Sequence, residues 1–307
     1  MANKNPLEIE LCGIKFKNPI ITASGTFGYG IEYSRFIDIS KLGGISVKGL
    51  SLHEVPGNKM PRIIETPAGM LNAIGLQNIG VDRFISEKLP QLRKYDTRII
   101  VNFWGKTVDE YVEVAKKLDV ITDIDMLEMN ISCPNIKEGG IAFGTDPKMT
   151  EKVVSAVKKN IRNKPLIVKL SPNVTDIKLF AKICEDSGAD AISAINTLLG
   201  MSIDIDTRKP HISNITGGLS GPAIKPVAVR MVYEVFKTVK VPVIGIGGIM
   251  NYKDVVEFFL AGASAVQVGT ANFVDPEIPL KIVDDLSKYI NKNKINNISE
   301  LTGSFDI

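Results

Sequence analysis

The stretch Pro165-Leu-Ile-Val-Lys-Leu170, Asp176 to Ser187, Asp190-Ala-Ile-Ser-Ala-Ile-Asn196 reads as strand, helix, strand. Short β-branched runs that are apolar almost throughout mark strands buried on both faces, and an amphipathic segment between two of them supplies the crossover of a parallel pair. The unit repeats in both directions. Upstream lie Pro19-Ile-Ile-Thr-Ala-Ser24, Gly44-Ile-Ser-Val-Lys48, Arg98-Ile-Ile-Val-Asn-Phe103 and Met126-Leu-Glu-Met-Asn-Ile131. Downstream lie Pro242-Val-Ile-Gly-Ile-Gly247 and Ala265-Val-Gln-Val-Gly269. Seven stretches of helical period are expected between these eight strands, among them Thr107 to Leu118 and Pro147 to Ile161. Eight units favour an α/β fold of the closed (β/α)8, or TIM, barrel type over an open doubly wound sheet. The open alternative also lacks its Gly-x-Gly-x-x-Gly turn: Gly245-Ile-Gly-Gly-Ile-Met250 has the wrong spacing, and Gly25-Thr-Phe-Gly-Tyr-Gly30 the reverse order.

The 307 residues suit one barrel of ordinary size, so residues 1–307 are expected to form a single domain. An N-terminal hairpin precedes the barrel, and the Asn/Lys/Ile-rich stretch Asn291 to Ile298 reads as a final surface segment. Extra material at about 50–80 and 198–222 implies functional connections inserted at the C-terminal face. An apolar fraction of 44% and a charged fraction of 23% are those of an ordinary globular protein. A net charge of +3 is too small for a nucleic-acid partner. The first residues show no signal-like apolar segment or Arg-rich leader, and no apolar run could span a bilayer, so the reading expects a cytoplasmic protein without a membrane partner. Cys12, Cys133 and Cys184 are too few and too dispersed for a disulfide framework or a four-cysteine iron–sulfur cluster.

Residues at the C-terminal ends of barrel strands face the active site. Here those ends carry Ser24, Lys48-Gly49, Asn102, Asn130 to Cys133, Lys169, Asn196-Thr197, Gly247-Gly248 and Gly269-Thr270. Polar closure of eight apolar strands marks a site. Ile246-Gly-Gly-Ile249 and Val268-Gly-Thr-Ala271, after strands 7 and 8, place backbone N–H groups where this fold binds phosphate; tight turns are the plainer alternative. Lys48 and Lys169 admit three readings: a Schiff base, a cation beside an anionic ring, or a structural ion pair. Asn72, Asn102, Asn130 and Asn196 can each donate and accept, which suits the edge of a uracil-like ring or a flavin.

In Asn130-Ile-Ser-Cys-Pro-Asn-Ile136 a buried strand ends in a thiol and is broken by proline. The loop Asn135 to Gly144, with Gly139, Gly140 and Gly144, could open and close over Cys133. Such a thiol can act as a base near neutral pH if its surroundings help; the plainer alternative is a buried hydrophobe. Cys12 and Cys184 read as packing. The two histidines, His53 and His211, lie in loops away from any Cys/His cluster, so neither a metal site nor a Cys–His hydrolase is expected.

Together, Ala23-Ser-Gly-Thr-Phe-Gly-Tyr-Gly30, Val47-Lys-Gly49, Asn72-Ala-Ile-Gly-Leu-Gln-Asn78, Asn130-Ile-Ser-Cys-Pro-Asn135 and Ile246-Gly-Gly-Ile249 resemble the class 1, B-type dihydroorotate dehydrogenases, in order and spacing. The resemblance runs from about residue 7 to the last helix. Cysteine rather than serine at the base position and the absence of an amphipathic extension separate it from class 2, while Gly25 to Gly30 and Glu65-Thr-Pro-Ala-Gly-Met-Leu71 look like the B-type rather than the A-type.

The resemblance implies oxidation of (S)-dihydroorotate to orotate with FMN, Cys133 taking the C5 proton while hydride leaves C6 for the flavin. Lys48 would lie between flavin and substrate. Asn72, Ala73, Ile74, Gly75, Leu76, Asn130, Asn196 and Thr197 would hold the pyrimidine. Ser24, Lys48, Gly49, Asn102, Asn130, Lys169 and Ile195 would embrace the flavin, and Gly221, Gly247, Gly248, Gly269 and Thr270 its phosphate. It further implies a homodimer within a heterotetramer, whose second subunit carries FAD and a [2Fe–2S] cluster and passes electrons to NAD. Three rivals remain: the pyrimidine-reducing domain of dihydropyrimidine dehydrogenase, a Schiff-base aldolase using Lys169 or Lys48, and a non-catalytic phosphate- or flavin-binding module.

Overall fold

Eight short parallel strands close on themselves, each paired with its two neighbours in chain order and the last with the first. They are β1 (Ile20–Thr22), β2 (Gly44–Ser46), β3 (Arg98–Phe103), β4 (Met126–Asn130), β5 (Leu166–Lys169), β6 (Ala191–Ala194), β7 (Val243–Ile246) and β8 (Ala265–Val268). The computed structural model describes residues 5–132, 137–138 and 141–306. All eight apolar runs become barrel strands, because continuous burial leaves a run of Val, Ile and Leu no solvent face to present.

Helices cover the outside. Thr107, Asp146 and Asp176 each accept a hydrogen bond from a backbone N–H in the first turn of Val108–Asp119, Pro147–Asn160 and Ile177–Asp186, and so stop the chain from fraying there. Lys225–Phe236 and Tyr252–Leu260 follow β6 and β7, and Ile278–Lys292 closes the ring. One connection departs from the expected pattern. Between β1 and β2 the described chain makes only the 3-10 turns Ile31–Tyr33 and Ile39–Lys41. Gly25, Gly28 and Gly30, all at positive φ, take the backbone off the α-helical path there.

The N-terminal hairpin forms as expected. Ile9–Leu11 and Ile14–Phe16 pair antiparallel across Cys12 and Gly13, whose φ values of 51° and 80° are those of a two-residue hairpin turn. Leu7, Ile9, Leu11 and Phe16 are buried, and Cys12 Sγ donates to Asp190 O at the entry to β6. The hairpin thus covers the N-terminal end of the barrel. The last segment is less superficial than its composition suggests: Ile298 is fully buried and its N–H donates to Pro6 O.

The two long connections fold together. Ile63–Thr66 and Gly69–Asn72 from one, and Leu198–Met201 and Thr216–Ser220 from the other, make a four-stranded antiparallel sheet. The central pairing joins Asn72 to Gly218 and Met70 to Ser220, segments separated by almost half the chain. This sheet lies over the C-terminal end of the barrel.

Inside the barrel the packing is polar at one level. The Glu128 carboxylate on β4 is fully buried. It accepts hydrogen bonds from Ser46 Oγ (2.9 Å) and Asn102 Nδ2 (2.7 Å) on one oxygen, and from Ser193 Oγ (2.9 Å) and Gln267 Nε2 (2.7 Å) on the other. Four donors from β2, β3, β6 and β8 occupy the four acceptor positions of an ionised carboxylate. Burial opposes its charge, but the Lys169 ammonium and the bonds from Asn102, Gln267 and Ser193 hold the carboxyl below the usual range.

The folded carboxyl therefore ionises below its ordinary value of 4.5, so the network's contribution to stability is present above that pH and is lost as the pH falls through the folded value. The wild-type melting temperature should fall more steeply below about pH 4.5 than that of Glu128→Gln, which has no proton to gain there. Parallel acid limbs in the two melting curves would contradict this.

Candidate active site

The C-terminal ends of the strands and the inserted sheet enclose a cavity of about 400 Å3. Every described residue to which the resemblance gives a role lies on its wall: Ser24, Lys48, Gly49, Asn72 to Leu76, Asn102, Asn130, Lys169, Ile195 to Thr197, Gly221, Gly247, Gly248, Gly269 and Thr270. Cys133 lies outside the described residues. So do much of its loop and both Gly139 and Gly140; the neighbouring backbone pairs Lys137–Glu138 with Ile141–Ala142.

On the β7–β8 side the wall is made of backbone. Gly247 and Gly248 have φ values of 135° and 72°, and a Cβ on Gly248 would lie 2.8 Å from Gly221 O. A Cβ on Gly221 would in turn lie 2.7 Å from Gly69 Cα. The glycines let three chain segments converge where side chains would hold them apart. Among the described residues, the N–H groups of Gly247, Gly248 and Gly269 donate to no hydrogen-bond partner. Free N–H groups converging on one place form an anion-binding concavity. The adjacent Lys225 is already committed, its Nζ lying 2.7 Å from both Asp254 and Glu257. Asp254 also accepts from the N–H groups of Met250 and Asn251, which fixes the turn after the glycines.

Around β4, β6 and the inserted sheet the wall is made of amides. Asn130 Oδ1 accepts from Asn196 Nδ2 at 3.3 Å and from Ser132 N at 3.1 Å. Asn196 Oδ1 accepts from Thr197 N at 2.8 Å. Asn72 Nδ2 donates to Gly218 O across the inserted sheet. Gly218 is required there, since a Cβ would fall on the Thr197 side chain. The Ala73–Leu76 segment is held from outside the cavity: Asn58 Nδ2 donates to Ala73 O, and Asn78 Nδ2 to Leu76 O.

The lysines occupy different settings. Lys48 Nζ lies 3.7 Å from where a Cβ on Gly25 would sit, ordinary contact distance, so the ammonium packs beside the Gly25 turn, whose φ of 90° favours glycine. Lys169 is buried at the end of β5, and its charge acts on Glu128. Lys169 also lines the cavity, so its charge lies between the buried carboxylate and the enclosure.

Several wall and supporting residues escaped the sequence reading. Glu128 stands in the middle of Met126-Leu-Glu-Met-Asn130, where an acid inside a buried run was itself a signal. Asn173 was not marked by any strand end; it donates to Thr197 O and accepts from Leu199 N, bracing the start of the inserted sheet. Ser132, by contrast, lies within the strand end Asn130 to Cys133 already marked in the sequence; it donates its hydroxyl to Lys169 O and ties β4 to β5 beside the cavity. Among the described residues, no group of three or more His, Cys, Asp or Glu could hold a metal ion, and no helix is long and apolar enough to cross a membrane.

The family model for dihydroorotate dehydrogenase matches residues 6–290. Dihydroorotate dehydrogenase B (NAD(+)), catalytic subunit, of Geotalea uraniireducens is 58% identical over 301 residues, which are 98% of each chain. The protein of the same name from Geotalea daltonii is 57% identical over 304 residues, 99% of each chain. That of Citrifermentans bemidjiense is 56% identical over 301 residues, again 98% of each. Among solved structures, DHODH from Eimeria tenella in complex with ferulenol superposes with a TM-score of 0.81 at 21% identity, covering 98% of this chain and 89% of that one. That likeness speaks to the fold alone. The barrel, the cavity at its C-terminal end and near-full-length identity above one half agree, and the chain belongs to the dihydroorotate dehydrogenase family, with its B-type catalytic subunits.

Proposed function

We propose that the chain oxidises (S)-dihydroorotate to orotate, a step of pyrimidine synthesis, with FMN bound in the cavity. The observation that carries this reading is the union of two kinds of wall in one enclosure. Unpartnered N–H groups at Gly247, Gly248 and Gly269, with Gly221 and Thr270 beside them, suit a phosphate. Donor–acceptor amides at Asn72, Asn130 and Asn196 suit the polar edge of a pyrimidine. Ser24, Gly49, Asn102, Lys169 and Ile195 line the remaining wall and would hold the flavin ring, with Asn130 and Lys48 shared between flavin and substrate. A cavity of about 400 Å3 has room for such ligands in the range usual for cofactor sites.

The chain's own residues would divide the work. Asn72, Asn130, Asn196 and Thr197 orient the dihydropyrimidine, with Ala73 to Leu76 along one side. The Lys48 ammonium offsets the substrate carboxylate. Cys133, as thiolate, takes the proton from C5, and the C5–C6 double bond forms as hydride departs from C6. FMN, when bound, would supply the two-electron acceptor for that hydride. The words "NAD(+)" and "catalytic subunit" in the relatives' names support an NAD acceptor and a second subunit. That subunit would carry FAD and a [2Fe–2S] cluster on a homodimer of this chain, in the cytoplasm.

Two measurements test this. With a dye as acceptor, the purified FMN-loaded chain should oxidise dihydroorotate but not dihydrouracil, should leave NAD unreduced without a partner, and should lose about 10²–10⁴-fold in flavin reduction rate near neutral pH in Cys133→Ala. Full-rate NAD reduction by the chain alone would remove the partner, and an unimpaired Cys133→Ala would remove the base. The second is thiol labelling. Burial pushes the Cys12 thiol up to about 11, with Asp190 adding to the effect and Lys158 opposing it, and complete burial raises Cys184 further. Iodoacetamide near neutral pH should therefore label Cys133 first, with loss of activity, when the modified peptide is mapped by mass spectrometry. Faster labelling of Cys12 or Cys184 would contradict the assignment.

A further inference from the structure

Glu128 is absent from the cavity wall and sits wholly buried beneath it. It is nonetheless hydrogen-bonded to Asn102, which lines the cavity, and it acts electrostatically on a second wall residue, Lys169, which stands on the neighbouring strand opposite Asn130. An ionised carboxylate can only accept hydrogen bonds, so any amide beside it must turn its NH2 inward. Asn102 does so, and its Oδ1 then points to Gly49, where a Cβ would lie 2.7 Å from that oxygen. Gln267 obeys the same rule: its Nε2 donates to Glu128 while its Oε1 has no partner among the described residues. A neutral glutamine at 128 would break the rule. The hydroxyls of Ser46 and Ser193 could rotate to receive its NH2, but one of the flanking amides would have to flip or lose a bond.

The charge carries a second consequence. Lys169 is buried, and its ammonium acts on the Glu128 carboxylate. Together they are close to neutral. Either one alone would leave a net charge under the cavity, in surroundings where charges are poorly screened.

Resting on the FMN reading above, we propose that Glu128 is a positioning residue that presets the flavin environment from beneath. Its charge offsets Lys169, and its acceptor oxygens fix Asn102 with the carbonyl toward the cavity. It does not touch substrate or cofactor; it acts through the two residues that do.

The test is the midpoint potential of the bound FMN, measured by spectroelectrochemistry on the loaded wild-type protein, Glu128→Gln and Ser193→Ala. Glu128→Gln keeps the shape and removes the negative charge, so the uncompensated Lys169 favours the electron-rich reduced flavin and the potential rises. Ser193→Ala removes one neutral donor and leaves the carboxylate less offset, so the potential falls. A purely structural role predicts weaker FMN retention and lower melting temperatures with the potential unmoved. That result, or a fall in Glu128→Gln, overturns the proposal. Should Glu128→Gln fail to retain FMN, Ser193→Ala decides alone: a fall sustains the proposal, and an unchanged or higher potential overturns it. A wild-type chain that takes up no FMN overturns this inference and the flavin reading together, whereas a loaded wild type with unmoved variants overturns only this one.

Discussion

A carboxylate buried at the centre of a barrel must be answered by donors from the strands around it, and the Glu128 network meets that demand from four directions. The usual interior of this fold is layered with branched apolar side chains that tolerate some repacking. A polar layer is less permissive, because each misplaced partner leaves a buried group unpaired. Ser46, Asn102, Ser193 and Gln267 thereby tie the register of β2, β3, β6 and β8 to β4 at one level. The cavity above inherits that register, since Asn102 is itself on the wall and Lys48, Asn130, Ile195 and Gly269 follow the other four members by two residues along their strands.

Division of labour follows from the barrel's two ends. At the N-terminal end the Ile9–Phe16 hairpin and Ile298 seal apolar surface against water. At the C-terminal end, strand termini and two distant insertions combine into one enclosure. The inserted sheet couples Asn72 to Gly218 and sets Thr197 against Gly218, so residues far apart in the chain meet on one wall. A cavity made this way has rigid sides below and a hydrogen-bonded cover above, which suits a ligand that must be kept from water.

Much of this was legible in the sequence, for identifiable reasons. The eight strands could be read because full burial leaves an unbroken apolar run, and Ser24, Lys48, Asn102, Lys169 and Asn196 stood out as polar breaks at their ends. The pairing of the two insertions was hidden, since Ile63–Thr66 and Thr216–Ser220 alternate weakly and long-range antiparallel partners leave no local trace. The missing helix between β1 and β2 could have been anticipated from Gly25, Gly28 and Gly30. Glu128 carries no strand-end signal, although an acid between Leu127 and Met129 has no solvent to face. Asn173 could not have been found this way; its place is set by contacts with Thr197 and Leu199 that exist only in the folded chain.

The central claim is that the cavity holds a flavin which dihydroorotate reduces. Its most direct test is to mix the FMN-loaded protein with dihydroorotate in the absence of oxygen and follow the visible flavin band. The account predicts rapid bleaching, complete within a single turnover. A protein that cannot be loaded with FMN, or a loaded one whose band persists in the presence of dihydroorotate, would contradict it and return Lys48 and Lys169 to consideration as carbonyl-binding lysines.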